Sequence, residues 1–251
     1  MVGLDDVAAK KAELDRWRPL PAALVANLDA WYQVELTFSS NAIEGNTLTR
    51  QETALVVADG LTVQGKTLVE HLEAHNHARA VTMVRHLAKT GSSSGLFGEA
   101  EVLDIHRLLL QGIDDDNAGR YRRVAVRIAG STVVLPSPAK VSELMGNFVA
   151  AVGTPGWEGH PVERAIEAHY RLVTIHPFTD GNGRVARLLM NLVLLHHGYP
   201  AAIIDQAERS QYLASLQQAQ MGGSRTDFDQ LILRAVDRSL DIYLEAARSG
   251  T

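Results

Sequence analysis

Along most of this chain, apolar positions recur at the three- and four-residue spacing of an amphipathic helix. Val102, Leu103, Ile105, Leu109 and Leu110 line one face between Ala100 and Gln111, and Val162, Ile166, Tyr170 and Val173 repeat in the same way. From Arg184 onward, Val185, Leu188, Leu189, Leu192 and Leu195 form one stripe, which Gly198 and Pro200 stop. Phe228 to Ala247 reads as a further helix, and so does Trp31 to Glu44, closed by the C-cap pair Gly45-Asn46. Strict alternation is convincing once: Val124, Val126 and Ile128 alternate with Ala125 and Arg127, a turn follows at Ala129-Gly130-Ser131, and Thr132 to Leu135 reads as a second strand ended by Pro136. The expected fold is all-α with one β-hairpin over Val124–Leu135. No internal repeat is visible, and Ser92-Ser93-Ser94-Gly95 is the most linker-like stretch.

Composition narrows the classes. The 251 residues are 46% hydrophobic and 21% charged, with 24 basic against 29 acidic side chains. That is an ordinary globular balance, enough for one or two domains. A net charge of −5 offers no general attraction to nucleic acid or to an anionic membrane. The absence of cysteine excludes disulfides, thiolate metal sites and thiol nucleophiles. The opening Met1-Val2-Gly3-Leu4-Asp5-Asp6 lacks the basic and apolar regions of a secretion signal. The longest apolar run, Leu188 to Leu195, falls far short of the roughly 18 residues that span a bilayer. A soluble, cytoplasmic chain is the expectation.

Two segments compete as phosphate sites. Gly60-Leu61-Thr62-Val63-Gln64-Gly65-Lys66-Thr67 fits the P-loop pattern letter for letter, with Ala54-Leu55-Val56-Val57 as a possible preceding strand. Against it, Thr62 and Val63 are β-branched where the backbone must curl into an anion nest. A P-loop enzyme also needs a parallel sheet, which this helical chain does not supply. The expected structure here is a turn leading into a helix.

The second segment runs from His176 to Arg187: His-Pro-Phe-Thr-Asp-Gly-Asn-Gly-Arg-Val-Ala-Arg. Gly181 and Gly183 flank Asn182 immediately before a helix, so backbone N–H groups can approach an anion at the positive end of the helix dipole. Arg184 and Arg187 in the first turn oppose that dipole unless an anion lies among them. Asp180 supplies the hard oxygen that a phosphate-bridging Mg²⁺ would take. His176 is a neutral-pH base at the end of the preceding helix. Taken singly, each piece has an ordinary structural use, as a buried cap, a turn or surface charges. As a set they spell phosphate chemistry.

This segment resembles the signature of the Fic (Fido) family, His-x-Phe-x-Asp/Glu-Gly-Asn-Gly-Arg-x-x-Arg, at every fixed position. Similarity extends to Leu188-Leu189-Met190-Asn191, Gly198-Tyr199-Pro200, the Tyr121–Leu135 segment and Arg209-Ser210-Gln211-Tyr212. The resemblance implies a Fic-type helical bundle with a hairpin flap over the active site. It divides the chain into residues 1–95, a helical region holding an inhibitory helix at about 31–45, and residues 96–245, the catalytic core. It also implies a protein adenylyltransferase, moving AMP from Mg·ATP to a Ser, Thr or Tyr hydroxyl of a target protein docked on Val124–Leu135. His176 would be the general base and Asp180 the Mg²⁺ ligand. Gly181, Asn182 and Gly183 would cradle the α- and β-phosphates, Arg187 would take the γ-phosphate with Arg184 in support, and Tyr212 would lie at the adenine, with Gln220 a looser match.

Ser40 and Glu44, one helical turn apart, share a face. Ser40-Asn41-Ala42-Ile43-Glu44-Gly45 fits the family's inhibitory motif, in which Glu44 would stand in for the γ-phosphate by pairing with Arg187. Hydrolytic removal of AMP would use the same residues. A partner-binding module without catalysis is the alternative of another class, and the complete motif argues against it. A homo-oligomer is compatible with any of these. His71, Glu73, His75 and His77 do not fit a zinc helix, because Leu72 stands where the glutamate belongs.

Overall fold

The stripe that begins at Val185 becomes the centre of the molecule: every side chain from Arg184 to Leu194 is buried, as befits a helix surrounded by other helices. The computed structural model describes residues 1–92 and 95–249; Ser93 and Ser94 of the linker-like stretch lie outside the described residues. In chain order the helices are α1 (Leu4–Arg16), α2 (Ala22–Glu44), α3 (Arg50–Ala58), α4 (Leu68–Thr90), α5 (Glu99–Leu110), α6 (Val141–Val152), α7 (Pro161–Ile175), α8 (Asn182–His196), α9 (Arg209–Gln220) and α10 (Thr226–Ser249). The central α8 packs against α7 and α4, α2 lies across α4 and the N-terminal end of α8, and α1 packs on α10. One apolar cluster runs from Val7, Leu14, Tyr32 and Ile43 through Val185 and Leu189 to Leu240. Among the described residues no helix is long and apolar enough to cross a membrane.

The helix ends follow local chemistry. Gly45, at φ 105°, stops α2 where the left-handed conformation favours glycine. Thr49 with Glu52, and Thr67 with Glu70, form capping boxes that start α3 and α4. The first box converts Ala54–Val57 from a candidate strand into part of α3. The helix expected from Trp31 starts earlier, at Ala22.

The hairpin needs correction. Among the described residues no strand forms over Val124–Leu135; the segment runs out and back around a turn closed by the Ser131 N–H and the Ile128 carbonyl, 3.1 Å apart. An isolated two-stranded ribbon is marginal without a third strand or a helix to cover it, and Val124 and Val134 here are 59% and 91% exposed. The two arms are joined at their base instead, where the buried Arg122 guanidinium donates to the carbonyls of Val124 (3.0 Å) and Pro136 (2.6 Å).

Candidate active site

The loop between α7 and α8 is built by its own side chains. Asn182 closes it: Oδ1 accepts from the Phe178 N–H at 2.9 Å, and Nδ2 donates to the Phe178 carbonyl at 3.0 Å. Phe178 is buried and stacks on the His106 ring at 3.7 Å. His106 Nδ1 accepts the Gly119 N–H, so Nε2 carries the proton and donates to the Asp180 carbonyl at 3.1 Å. Gly181 caps α8 at φ 78°, with the His106 ring 3.3 Å from where a β-carbon would stand. Bulk and a left-handed φ together call for glycine there.

His176 caps α7 at φ 52°, ψ 60°, the one non-glycine residue with positive φ among the described residues. Such a conformation costs of order 1–3 kcal/mol and persists where surroundings enforce it. Here its N–H donates to the Leu172 carbonyl at 2.9 Å, and its carbonyl accepts from Arg122 Nε at 2.8 Å. The ring's Nδ1 faces the Val173 carbonyl at 3.3 Å, which can only accept, so Nδ1 bears the proton and Nε2 keeps its lone pair. Burial, reinforced by Arg122, holds the imidazole below its ordinary value against the opposing pull of Val173, Glu44 and Asp180. The ring is therefore neutral at pH 7, the state a base requires.

The neighbouring charges form two groups, each around one arginine. Asp180, 65% exposed, accepts from Arg184 at 2.9 Å, and the buried Arg184 also donates to Glu73 at 2.9 Å. Arg184 therefore braces the loop from beneath. Arg187 is buried and engaged through all three nitrogens: Nε donates to the Ser40 hydroxyl (2.9 Å), Nη2 to the Ser40 carbonyl (2.9 Å) and to Glu44 (2.7 Å), and Nη1 to the Tyr212 hydroxyl (3.3 Å). Burial opposes this charge, but Glu44 and Tyr212 outweigh it and leave the guanidinium more strongly protonated than usual. The Tyr212 hydroxyl is also hydrogen-bonded to Nε2 of the buried His169 at 2.9 Å.

Glu44, Gly183, His176, Arg187 and Tyr212 thus meet in one cleft, which the turn at Gly130-Ser131 overhangs. Gln220 lies at its edge and donates to the Val173 carbonyl at 3.2 Å. The P-loop-like segment is elsewhere and makes no nest: Lys66 donates to the Thr47 carbonyl at 2.6 Å, and Thr67 caps α4. Nor do the residues from His71 to His77 converge on one another. His71 bonds the Val63 N–H, Glu73 holds Arg184, and His77 is buried against Thr37. Sequence reasoning missed Arg122, His106, His169 and the pairing of Glu73. The partners that tie them to the site, His176, Asp180, Tyr212 and Arg184, are remote in the chain, so no local spacing announces them.

A family model described as Fic/DOC family matches residues 96–194. The chain is 38% identical over 208 residues to a protein adenylyltransferase Fic of Nematostella vectensis, covering 82% of this chain and 48% of that protein. It spans about half the length of the curated relatives it matches. A solved structure of a Fic domain containing signaling protein from Bacteroides thetaiotaomicron superposes with a TM-score of 0.86 at 28% identity, covering 97% of both chains. One of Fic-1 from C. elegans superposes with a TM-score of 0.84 at 30% identity, covering 97% of this chain and 71% of that one. The chain belongs to the Fic/DOC family.

Proposed function

We propose that this chain is an autoinhibited protein adenylyltransferase that transfers AMP from Mg·ATP to a hydroxyl of a target protein. The observation that carries the reading is the Glu44–Arg187 ion pair, 2.7 Å long, lying over Gly183 at the N-terminus of α8 in the cleft that holds His176. A carboxylate held at that position marks an anion site, and the neutral His176 beside it is a base. In this reading residues 96–245 carry the chemistry and residues 1–95 carry the regulatory helix α2.

The transfer follows from the groups present. His176 Nε2 takes the proton of the target hydroxyl, whose oxygen attacks the α-phosphorus; the bond to the bridging oxygen breaks and pyrophosphate leaves. Gly181, Asn182 and Gly183 at the helix N-terminus stabilise the phosphate oxygens, and Arg187, once released from Glu44, holds the γ-phosphate. The exposed carboxylate of Asp180, a hard oxygen donor beside this anion site, fits Mg²⁺, with Arg184 holding its other side. When bound, the ion would neutralise phosphate charge. Tyr212 lines the cleft where the base would stack, and the exposed Val124–Leu135 arms are the docking surface for an extended target segment. With Glu44 in place, ATP enters only with its γ-phosphate displaced, and Ser40 holds Arg187 in the blocked arrangement.

Incubating purified protein with labelled ATP and Mg²⁺ and following the label by intact mass tests this. Transfer that depends on His176 supports the reading, and hydrolysis to ADP alone with no labelled protein, in the wild type and in Glu44→Gly, overturns it.

A further inference from the structure

Arg122 lies in no helix and outside both the His176–Arg187 and the Ser40–Gly45 motifs, yet it is 4% exposed and all three of its guanidinium nitrogens are engaged. Nη1 and Nη2 donate to the carbonyls of Val124 and Pro136, the two ends of the exposed arms. Nε donates to the carbonyl of His176 at 2.8 Å, and the Arg122 backbone N–H donates to the carbonyl of Pro177, also at 2.8 Å. A guanidinium is planar and rigid, so bonds made from its three nitrogens hold their acceptors in a fixed mutual arrangement. One of these acceptors belongs to the single left-handed non-glycine residue among those described. The others hold together the base of a segment that has no ladder of its own.

Resting on the adenylyltransferase reading, we propose that Arg122 is a positioning residue that couples the Val124–Leu135 arms to His176, so that a target segment docked on the arms also fixes the imidazole for proton transfer. The physical route is short. Displacing the arms moves the Val124 and Pro136 carbonyls, the guanidinium plane follows, and the third bond pulls on the His176 backbone, where strain leaves little resistance. A misplacement of about 1 Å at a reacting group costs on the order of a hundredfold in rate. Nucleotide affinity has a separate basis in the N-terminus of α8 and Arg187, so it is not part of the coupling.

The experiment compares Arg122→Lys and Arg122→Gln with the parent, each in a Glu44→Gly background. Neither replacement can span three diverging carbonyls. Self-modification at saturating ATP is expected to fall about 10- to 100-fold, while ADP affinity by calorimetry stays within about twofold. Two readouts need no activity. Amide exchange at Arg122 and Ser131, whose N–H groups bond the Pro177 and Ile128 carbonyls at the base and turn of the arms, should quicken while α8 stays protected, and the ring proton signal of His176, assigned by its loss in His176→Ala, should shift in the same variants. Faster exchange in the arms with an unmoved His176 signal and an unchanged transfer rate overturns the coupling. Loss of α8 protection in both variants also overturns it, by making Arg122 a general structural residue. Absence of any transfer in the Glu44→Gly parent counts against the adenylyltransferase reading alone, and the exchange and ring-signal results then decide the role of Arg122.

Discussion

Glu44 and Gly183 interlock: the Oε1 oxygen of Glu44 occupies the place a β-carbon on Gly183 would need, with Arg187 Nη1 closing the other side at 3.0 Å. The glycine is needed there for room, since its φ is not in the left-handed range. This contact joins the last residue of α2 to the first turn of α8, two elements far apart in the chain.

A stability cycle reads that contact directly. Gly183→Ala in the wild type should destabilise by about 1–3 kcal/mol, the usual cost of forcing atoms into a filled space. In a Glu44→Gly background the overlap with the carboxylate is gone, and alanine's better helix propensity, up to about 1 kcal/mol, offsets the remaining close approach of Arg187 Nη1. The substitution should then be near neutral. Urea unfolding of the four proteins measures the coupling; equal costs in both backgrounds would show that Glu44 does not sit on Gly183 in solution.

Glu44→Gly should raise AMP transfer, against the usual direction for a substitution in a cleft. Removing the carboxylate frees Arg187, whose remaining partners Ser40 and Tyr212 are neutral. A hydrogen bond between charged groups is worth about 1.5–3 kcal/mol, so the open arrangement should gain roughly 10- to 100-fold in population. Self-modification would appear as an adduct of about 329 Da, one AMP less water, and Glu44→Gly/His176→Ala should show none. Glu44→Gln, which keeps the shape and loses the charge, should fall between. No gain in any of these would remove the inhibitory role of Glu44 and favour AMP removal, which needs that carboxylate.

What could be read from the chain, and what could not, divides along sequence distance. His176 to Arg187 is one contiguous loop and helix start, so its chemistry shows in twelve letters, and the Ser40-to-Glu44 spacing survives because both lie on one helical turn. Arg122, His106 and His169 work through partners on other elements and carry no local pattern. Val124 to Ile128 does alternate, but alternation describes which way side chains point and not whether a second strand pairs. Without a covering layer, the ladder gives way to a side-chain clamp.

The acid limb of the transfer rate should lie below pH 6.5. His176 is held below that ordinary value chiefly by burial, and it serves as a base only when neutral. A depressed pKa keeps the ring neutral as pH falls through 6.5, so the rate is maintained there and declines only at lower pH. Single-turnover rates of Glu44→Gly across pH at saturating ATP measure this. His176→Ala should abolish transfer and leave ADP affinity nearly unchanged; a loss of both together would make His176 a structural cap.

Folding stability should also fall on mild acidification, through histidines that take no part in the chemistry. Burial pushes His77 and His169 down to about 3 and His106 to about 4, whereas in the unfolded chain each titrates near 6.5. Above 6.5 both states are neutral at these rings and stability is full. As pH falls below 6.5 the unfolded chain takes up protons that the folded one refuses, so stability is lost progressively until the folded values are reached. Each ring contributes up to about 1.4 kcal/mol per pH unit in that window, hence about 4 kcal/mol per pH unit for the three, a large part of the usual 5–15 kcal/mol within a single unit. Carboxylates with depressed values, such as Glu70 at about 2, enter only as pH approaches their unfolded value of 4.5, which separates the two effects. Urea midpoints should therefore be flat above about pH 7 and drop steeply between about 6.5 and 5. His77→Phe, which removes one of the three most strongly shifted rings, should reduce the slope by less than about a third, because His160, His176 and His197 are also held below their ordinary value, and it should lower the plateau, since Thr37 loses its partner. A midpoint that holds constant down to about pH 5 would mean that these rings are protonated, or hydrated, in the folded protein.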